Sequence, residues 1–226
     1  MSQDDRISND RQPEQADSID RGPAYRIETE RLVLRCWSPA DAPRLKRAID
    51  DNLDHLWPWL PWIAHEPEEL AAKVQRLREF RGKFDLGLDF VFAVFEADET
   101  RLVGGCGLHP RLGPGVLEIG YWIHKDTVGR GYATELAAAL TRVGFEIHRV
   151  GRIEIRCDPE NLASAGVPRK LGFHHDGTLR RRLPDATGQP RDLMVWSLFR
   201  DELLASPVAA AEVRAFDVSG EPFDWA

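Results

Sequence analysis

The sequence predicts one domain with an α/β fold of the α+β class, in which about four helices flank a mixed, mostly antiparallel sheet of about seven strands. Three segments, 89–97, 101–109 and 117–124, are apolar with strand-like spacing and are joined by short turn sequences, as in an antiparallel meander. A helix-spaced run follows at 132–147 and another strand pattern at 152–157. Strand, helix and strand in succession form a βαβ unit, so the sheet is expected to contain one parallel pair.

The elements before the meander are a strand and two helices. Leu32 and Leu34 alternate with their neighbours in the strand-like stretch "RIETERLVLRCW". Ser38 is a suitable N-cap and Pro39 a suitable first residue for the helix that follows. A second helix is expected over 66–82, because it opens with acidic residues and its apolar side chains recur at helical spacing.

The elements after the βαβ unit are a short helix near 162–171 and two strands, at about 176–183 and 192–199. Pro168 lies within the short helix, where it cannot donate to the carbonyl of Ser164, so a kink is expected there.

Length and composition set the domain boundaries. A chain of 226 residues with 42% hydrophobic residues can bury one good core and is short for two ordinary domains. Residues 1–24 are polar and charged, so a disordered tail is expected there, and the folded domain is expected over 25–205. Residues 206–226 resemble a second tail, although Phe223 and Trp225 could dock on the domain.

Charge and cysteine usage exclude several classes. The net charge of -7 argues against nucleic acid as partner, and the basic run 179–183 is interpreted as a solvated strand edge. Three cysteines without a CxxC pair predict neither a disulfide framework nor a zinc site, so no metal is expected. A reducing cytoplasm fits this pattern. No apolar run approaches the length of a membrane span and the N-terminus has no hydrophobic signal core, so no membrane association is expected.

Two glycines and an alanine alternate at the start of the helix after the meander, in "TVGRGYATELAAAL" at 127–140. A helix start has unpaired N–H groups and a positive dipole end, and residues without bulky side chains let a phosphate approach them. The pattern is neither a P-loop nor a Rossmann fingerprint. From spacing alone, a pyrophosphate ligand and a plain structural turn are equally supported.

Several motifs together resemble one family. "VGRGYAT" at 128–134 looks like the acyl-CoA-binding motif of the GNAT acyltransferase superfamily, and "NLASAGVPRKLGF" at 161–173 is similar to its downstream segment. Further pieces are similar to the branch of ribosomal-protein-alanine N-terminal acetyltransferases: "TERLVLRCW", "PWLPW", "EIGYWI" and "RDLMVWSLFRDE". The resemblance spans about 25–204 and implies a GNAT fold whose parallel strand pair splays at the acyl-CoA site.

The resemblance also assigns a binding site for acetyl-CoA, used as co-substrate without a metal. The backbone at Ile123 and His124 would pair with pantetheine, and one of its N–H groups would meet the thioester oxygen. The remaining residues implied in coenzyme binding are Val128, Gly129, Arg130, Gly131, Tyr132, Ala133, Thr134, Asn161 and Lys170. Asn161 also suits the N-cap of the short helix, and Lys170 a solvated helix end.

Two departures from the family pattern bear on this site. Val128 stands where the superfamily has Gln or Arg, which removes one polar contact. Pro168 stands where many relatives have a tyrosine that protonates the leaving thiolate, and Ser164 is the predicted substitute. An ordinary helical serine is an equally supported interpretation of Ser164.

Acyl transfer to an amine needs a base, and Glu118 is the predicted one. It lies on an otherwise apolar strand beside Tyr121, and such surroundings favour a carboxyl group that takes up a proton near neutral pH. Without the resemblance, a salt-bridged or exposed strand residue would be the preferred interpretation. Trp59, Trp62 and Tyr121 are expected to form an aromatic wall for the acceptor. For the tryptophan stretch 57–62, core packing with a turn is the alternative, and the wall is favoured for at least one of its three tryptophans.

The predicted function is N-acetylation of a primary amine by direct attack in a ternary complex. The acceptor is a protein N-terminus or a small-molecule amine, and the family leaves this choice open. A catalytically silent acyl-CoA-binding sensor or scaffold is the alternative, and a nucleic-acid-binding domain using Arg180, Arg181 and Arg182 is a third that the acidic balance opposes. The sequence leaves a homodimer open.

Overall fold

A computed structural model describes residues 21–224 and contains one open sheet. The strands are β1 Arg26–Glu28, β2 Leu32–Cys36, β3 Phe90–Glu96, β4 Leu102–His109, β5 Val116–Ile123, β6 Arg152–Cys157, β7 His174–Pro184, β8 Pro190–Phe199 and β9 Arg214–Phe216. Their order in the sheet is β7-β8-β6-β5-β4-β3-β2-β1-β9, and β5 with β6 is the parallel pair while the other neighbours are antiparallel.

Helices cover both faces of the sheet. They are α1 Ala42–Asp50, α2 Leu53–Leu56, α3 Leu70–Asp85, α4 Tyr132–Glu146 and α5 Leu162–Lys170. One apolar cluster joins α4 and α5 to one face, and a second joins α1, α2 and much of α3 to the other. Each face therefore has its own buried layer, as expected for a mixed sheet with a crossover helix.

The predicted fold class is confirmed, and the details differ at the sheet edges and at one helix. The described residues form nine strands because β1 separates from β2 and because β9 comes from the C-terminal segment. The helix predicted from residue 66 begins at Leu70. Glu66 precedes it and forms an ion pair with the buried Lys73, so the acidic opening belongs to a loop contact and not to the first helical turn.

The parallel pair separates along its length. Pairing runs from Val116 with Arg152 to Ile119 with Ile155, although β5 continues to Ile123 and β6 to Cys157. The last residues of both strands therefore have no partner across this gap. This opening lies at the carboxyl ends of a parallel pair, where α/β proteins commonly hold ligands.

The interpretation of 206–226 as a tail was wrong for its described part. Residues 214–216 form β9 and pair with β1, and Val208 and Ala215 are buried. Phe223, expected to dock, packs against the larger apolar cluster, and Trp225 lies outside the described residues.

The boundary of the N-terminal tail also needs correction. Ala24 is fully buried, and Arg21 forms an ion pair of 2.6 Å with Asp217. The ordered domain therefore includes residues 21–24, and the rest of the predicted tail, 1–20, lies outside the described residues. No helix within 21–224 is long and apolar enough to cross a membrane.

Candidate active site

A cleft of about 1230 Å³ passes through the sheet at the β5–β6 opening. One end is lined by the start of α4 and α5, and the other by the loop after α2 and the ends of β4 and β5. The cleft therefore connects the two faces of the sheet at one point, which a reaction between two substrates requires.

The start of α4 carries bare backbone into this cleft. Gly129 and Gly131 have φ values of 76° and 83°, a conformation that side-chain-bearing residues rarely adopt. Gly131 is the N-cap and has no side chain to cap the helix, and the first helical bond runs from Glu135 N to Gly131 O. The preceding amides are free of helical bonds and suit a phosphate group.

Most residues predicted to bind the coenzyme line this cleft, and two do not. Those in the wall are Ile123, Val128, Gly129, Gly131, Tyr132, Ala133, Thr134, Asn161 and Lys170. Arg130 points elsewhere, with Nη1 3.8 Å from Glu96 and Nη2 3.5 Å from the carbonyl of Asp126. His124 also lies outside, where its Nδ1 accepts from the amide of Asp126.

The two backbone amides predicted to meet the donor differ in availability. The N–H of His124 donates to the carbonyl of Val103 on β4, at 2.8 Å, so it is already used in the sheet. Because N–H groups alternate in direction along an antiparallel strand, that of Ile123 points away from β4. It therefore faces the gap beside β6, and the prediction of a free amide is retained for Ile123 alone.

Asn161, Ser164 and Tyr121 form one hydrogen-bonded group at the start of α5. Asn161 is the N-cap, as predicted, and its Oδ1 accepts from the amide of Ser164 at 3.0 Å. The hydroxyl of Tyr121 lies 3.0 Å from Ser164 Oγ. Burial raises the pKa of Tyr121, so its hydroxyl stays protonated at neutral pH. The structure thus puts Tyr121 beside Ser164 in the β5–β6 gap. The acetyl donor is expected in this gap, whereas Tyr121 was predicted to contact the acceptor.

Pro168 shapes this group through its missing N–H. It leaves the carbonyl of Ser164 without its helical donor, and the Tyr121 hydroxyl donates to that carbonyl at 3.3 Å. Tyr121 therefore satisfies a polar atom that the proline would otherwise leave unpaired. The kink expected at Pro168 stays a prediction, since α5 extends through it to Lys170.

Glu118 is buried on β5 but not among apolar groups alone. Arg111 donates to both carboxylate oxygens, with Nε 2.9 Å from Oε2 and Nη2 2.5 Å from Oε1. Arg156 Nε lies 4.0 Å from the same carboxylate. The expected apolar surroundings were wrong, because the sequence did not show that the loop after β4 folds back over this strand.

Two of the three tryptophans in "HLWPWLPWIAH" line the other end of the cleft. Trp59 and Trp62 are in the wall, whereas Trp57 is 44% exposed and points away. Arg191 of β8 lies over the Trp59 ring at 5.5 Å and donates to the carbonyl of Pro58. The same arginine is ion-paired with Asp158 at 2.7 Å, so it connects this loop to the segment before α5.

A histidine–carboxylate pair in the cleft was not predicted from the sequence. His109 Nδ1 lies 2.6 Å from Asp89 Oδ1, and both residues line the cleft. A signal existed, because the predicted meander places the first residue of strand 89–97 opposite the last residue of strand 101–109. Within 21–224, no group of three or more metal-ligating side chains converges in the way a metal site needs.

Comparison with known proteins identifies the relatives of this chain. The family model of the GNAT acetyltransferase domain matches residues 31–174. YnaD of Bacillus subtilis, an uncharacterized N-acetyltransferase, is 32% identical over 158 residues, which are 70% of this chain and 88% of YnaD. The ribosomal protein uS5-alanine N-acetyltransferase of Escherichia coli is 29% identical over 182 residues, 78% of this chain and 91% of that enzyme. Mycobacterium smegmatis RimJ, solved with CoA-disulfide, superposes with a TM-score of 0.70 at 25% identity, covering 79% of this chain and 86% of RimJ.

Proposed function

Because the chain belongs to the GNAT acetyltransferase family, we propose that it transfers the acetyl group of acetyl-CoA to the α-amino group of a protein N-terminus. The family and its N-acetyltransferase relatives make the chain an acyltransferase that acetylates amines. The finer proposal is direct attack of the acceptor amine within a ternary complex, without a covalent acetyl-enzyme.

The observation that carries this proposal is the position of the β5–β6 gap. It opens beyond Ile119 and Ile155, and the uncapped start of α4 lies in the same cleft. The amides at the α4 start suit the pyrophosphate of acetyl-CoA, and the free N–H of Ile123 suits the thioester oxygen. An extended pantetheine arm would fill the gap between them.

The leaving thiolate would be met by the Tyr121–Ser164 pair. The Tyr121 hydroxyl stays protonated, and it contacts Ser164 Oγ at 3.0 Å in the gap. Because the Tyr121 hydroxyl donates its single proton to the Ser164 carbonyl, the Ser164 hydroxyl would turn from Tyr121 and donate to the sulfur as the C–S bond breaks. This pair would replace the family tyrosine that Pro168 displaces.

Glu118, the base predicted from the sequence, could act only after its surroundings rearrange. Both of its oxygens are held by Arg111, so it could accept a proton from the acceptor only after this arginine moves away. The Arg111 side chain is 58% exposed and belongs to the loop after β4, which makes such a movement feasible.

The α-amino group of a protein is the acceptor that the surroundings favour. Its pKa is about 7.7–8.0, against about 10.4 for lysine, so it loses its proton more easily near neutral pH. The E. coli relative is named for acetylating the alanine of a ribosomal protein. Trp59 and Trp62 offer flat apolar surface beside the reaction point, which suits the first side chains of a peptide.

A cytoplasmic location and a homodimer also stay predictions.

A panel of acceptors tests the proposed function. The protein would be incubated with acetyl-CoA and short peptides that begin with alanine, serine or methionine, and released thiol would be followed by a chromogenic reagent. Matched controls are the same peptides with a blocked N-terminus and an internal lysine, together with spermidine and single amino acids. Mass spectrometry should locate one acetyl group on the free N-terminus. Tight CoA binding without acetylation of any acceptor would favour the acyl-CoA-binding sensor instead.

A further inference from the structure

We infer that His109, oriented by Asp89, is the group that receives the proton of the acceptor amine. The inference rests on the function proposed above and names the base for that reaction. It is supported by the geometry of the His109–Asp89 pair, by the two glycines beneath the imidazole, and by the place where the β5–β6 gap opens.

The pair fixes the ring in one useful state. Asp89 Oδ1 lies 2.6 Å from His109 Nδ1, and a carboxylate can only accept a hydrogen bond, so Nδ1 carries the proton. In the neutral ring, Nε2 then keeps its lone pair. Among the described residues Nε2 has no hydrogen-bonding partner, and both side chains are partly open to the cleft, at 19% and 27% exposure.

The ring lies on a floor of glycines. A Cβ on Gly107 would come within 2.7 Å of His109 Nε2, and one on Gly120 within 3.2 Å. These glycines face each other across β4 and β5, and their bare backbone leaves the space in which the imidazole sits. A side chain at either position would displace the ring.

This floor reaches the opening of the sheet. Ile119 is the last residue of β5 that pairs with β6, so Gly120 is the first residue beside the gap. The imidazole nitrogen is therefore next to the point where the thioester would emerge, on the sheet face that carries α1 and α2. Trp122, on the same face of β5, packs in the apolar cluster of these helices.

His109 needs no displacement of another group, whereas Glu118 does. The two residues are direct neighbours across β4 and β5, and Arg111 holds both oxygens of Glu118. This arrangement keeps both carboxylate oxygens engaged with Arg111 while the neighbouring Nε2 stays open. The Glu118–Arg111 pair then forms part of the wall beside the base.

The reaction balances with these groups. An N–C bond forms between the acceptor nitrogen and the thioester carbon, and the C–S bond breaks with its electron pair leaving on sulfur. The excess proton on nitrogen moves to His109 Nε2, giving an imidazolium that Asp89 stabilises. The thiolate takes a proton through the Tyr121–Ser164 pair or from water, and the imidazolium returns its proton to water.

The test uses the full chain, acetyl-CoA and the N-terminal peptides of the panel. His109→Gln is expected to lower kcat by about 10²–10⁴-fold, with KM for the peptide nearly unchanged, because the base and not a binding contact is lost. Asp89→Asn should lower kcat less. Free imidazole should partly restore the rate of His109→Ala, an effect that a purely structural histidine would not produce.

Two further variants are compared with His109→Gln, one at a control histidine and one at the alternative base, Glu118. His174 also lies near a carboxylate, 3.2 Å from Asp176, but on β7 outside the cleft, so His174→Gln should keep wild-type rates. Glu118→Gln should change KM more than kcat. If His109→Gln keeps wild-type kcat on a peptide that the protein acetylates, the inference is overturned while the function stands. If the wild type acetylates no peptide in the panel, the function fails and the inference with it.

NMR spectroscopy tests which nitrogen of the His109 ring carries the proton, and it needs no acceptor. Nitrogen-15 NMR of the free protein should show the His109 ring with its proton on Nδ1 and a bare Nε2. A ring protonated on Nε2 alone would contradict the proposed pair, because the lone pair of Nδ1 would then face the carboxylate of Asp89.

Discussion

At the scale of single residues, the site depends on positions that have no side chain. Gly131 begins α4 in a left-handed conformation, and Gly107 and Gly120 leave room for the His109 ring. At Gly107 and Gly120 the missing Cβ lets an imidazole lie close to the strands, and at Gly131 it would let a phosphate approach the backbone amides as proposed. The chemistry of this cleft is therefore set as much by absent side chains as by charged ones.

Gly131→Val is expected to weaken CoA binding by at least about ten-fold, because a branched side chain at φ 83° both strains the helix start and covers the amides offered to phosphate. Isothermal titration with CoA measures the affinity. Gly220→Val is the matched control, since Gly220 has φ 85° in a turn remote from the cleft. Unchanged CoA affinity in a folded Gly131→Val protein would remove this position from the coenzyme site.

At the scale of elements, Arg191 holds three separate segments together at the acceptor end. From β8 it reaches the carbonyl of Pro58, the ring of Trp59 and the carboxylate of Asp158. The loop after α2 contains only a short 3-10 helix, Pro61–His65, so its position relies on such contacts. The proposed acceptor wall is thus positioned by a strand distant from it in sequence.

Arg191→Ala is expected to raise KM for the peptide acceptor by about ten-fold, because a partly buried charged contact to the loop is lost. The dissociation constant for CoA should stay unchanged, since the α4 start is not touched. Steady-state kinetics and CoA titration separate the two effects. Arg200→Ala, in the segment after β8 with only a 3.9 Å ion pair to Glu146, is the control. Weaker CoA binding in Arg191→Ala would show that the arginine supports the donor site instead.

At the scale of the whole molecule, the two ends of the described chain close the far edge of the sheet. β9 pairs with β1, and Arg21 contacts Asp217 just after β9. The hydrogen bond from the Ser219 hydroxyl and the ion pair with Arg21 hold the pKa of Asp217 well below its usual range. The segments interpreted as tails therefore protect an edge strand that would otherwise be open to pairing with other chains.

Deleting residues 212–226 is expected to lower Tm by about 5–10 °C, because it removes β9 and its buried Ala215. Differential scanning calorimetry measures the change. Deleting residues 1–20 is the control and should leave Tm as it is, since their polar and charged composition predicts no contribution to the core. An unchanged Tm after the C-terminal deletion would show that β9 contributes nothing to stability.

Asp217→Asn is expected to destabilise the protein at neutral pH and to lose that effect in acid. The pKa of Asp217 is lower in the folded than in the unfolded protein, so its stabilisation is complete above the unfolded value of about 3.9 and disappears as pH falls through the native value. The difference in Tm between wild type and variant, measured from pH 7 down to pH 3, should shrink at the acid end. A difference that grows in acid would contradict this assignment.

The order of the central strands could be predicted from the sequence, and the sequence also predicts where the coenzyme binds. The strand-like apolar segments at 89–97, 101–109 and 117–124 predict β3 to β5, and the helix-spaced run after them predicts the parallel crossover, because these patterns depend only on neighbouring residues. The glycines at 129 and 131 predict the α4 start for the same reason. The role of Asn161 as the N-cap of α5 could also be predicted from its local sequence.

Which side chains meet in the cleft depends on how distant segments pack, and this could not be predicted from the sequence. Arg111 covers Glu118 because a loop folds back over β5, and Arg191 reaches Pro58 across 133 positions of the chain. The segment 206–226 becomes an edge strand because β1 offers it an unpaired edge. Such contacts depend on how elements pack and not on local spacing, so no periodic pattern records them. The His109–Asp89 pair lies between these cases, since the register of the meander implied it but only the fold showed that the pair faces the gap.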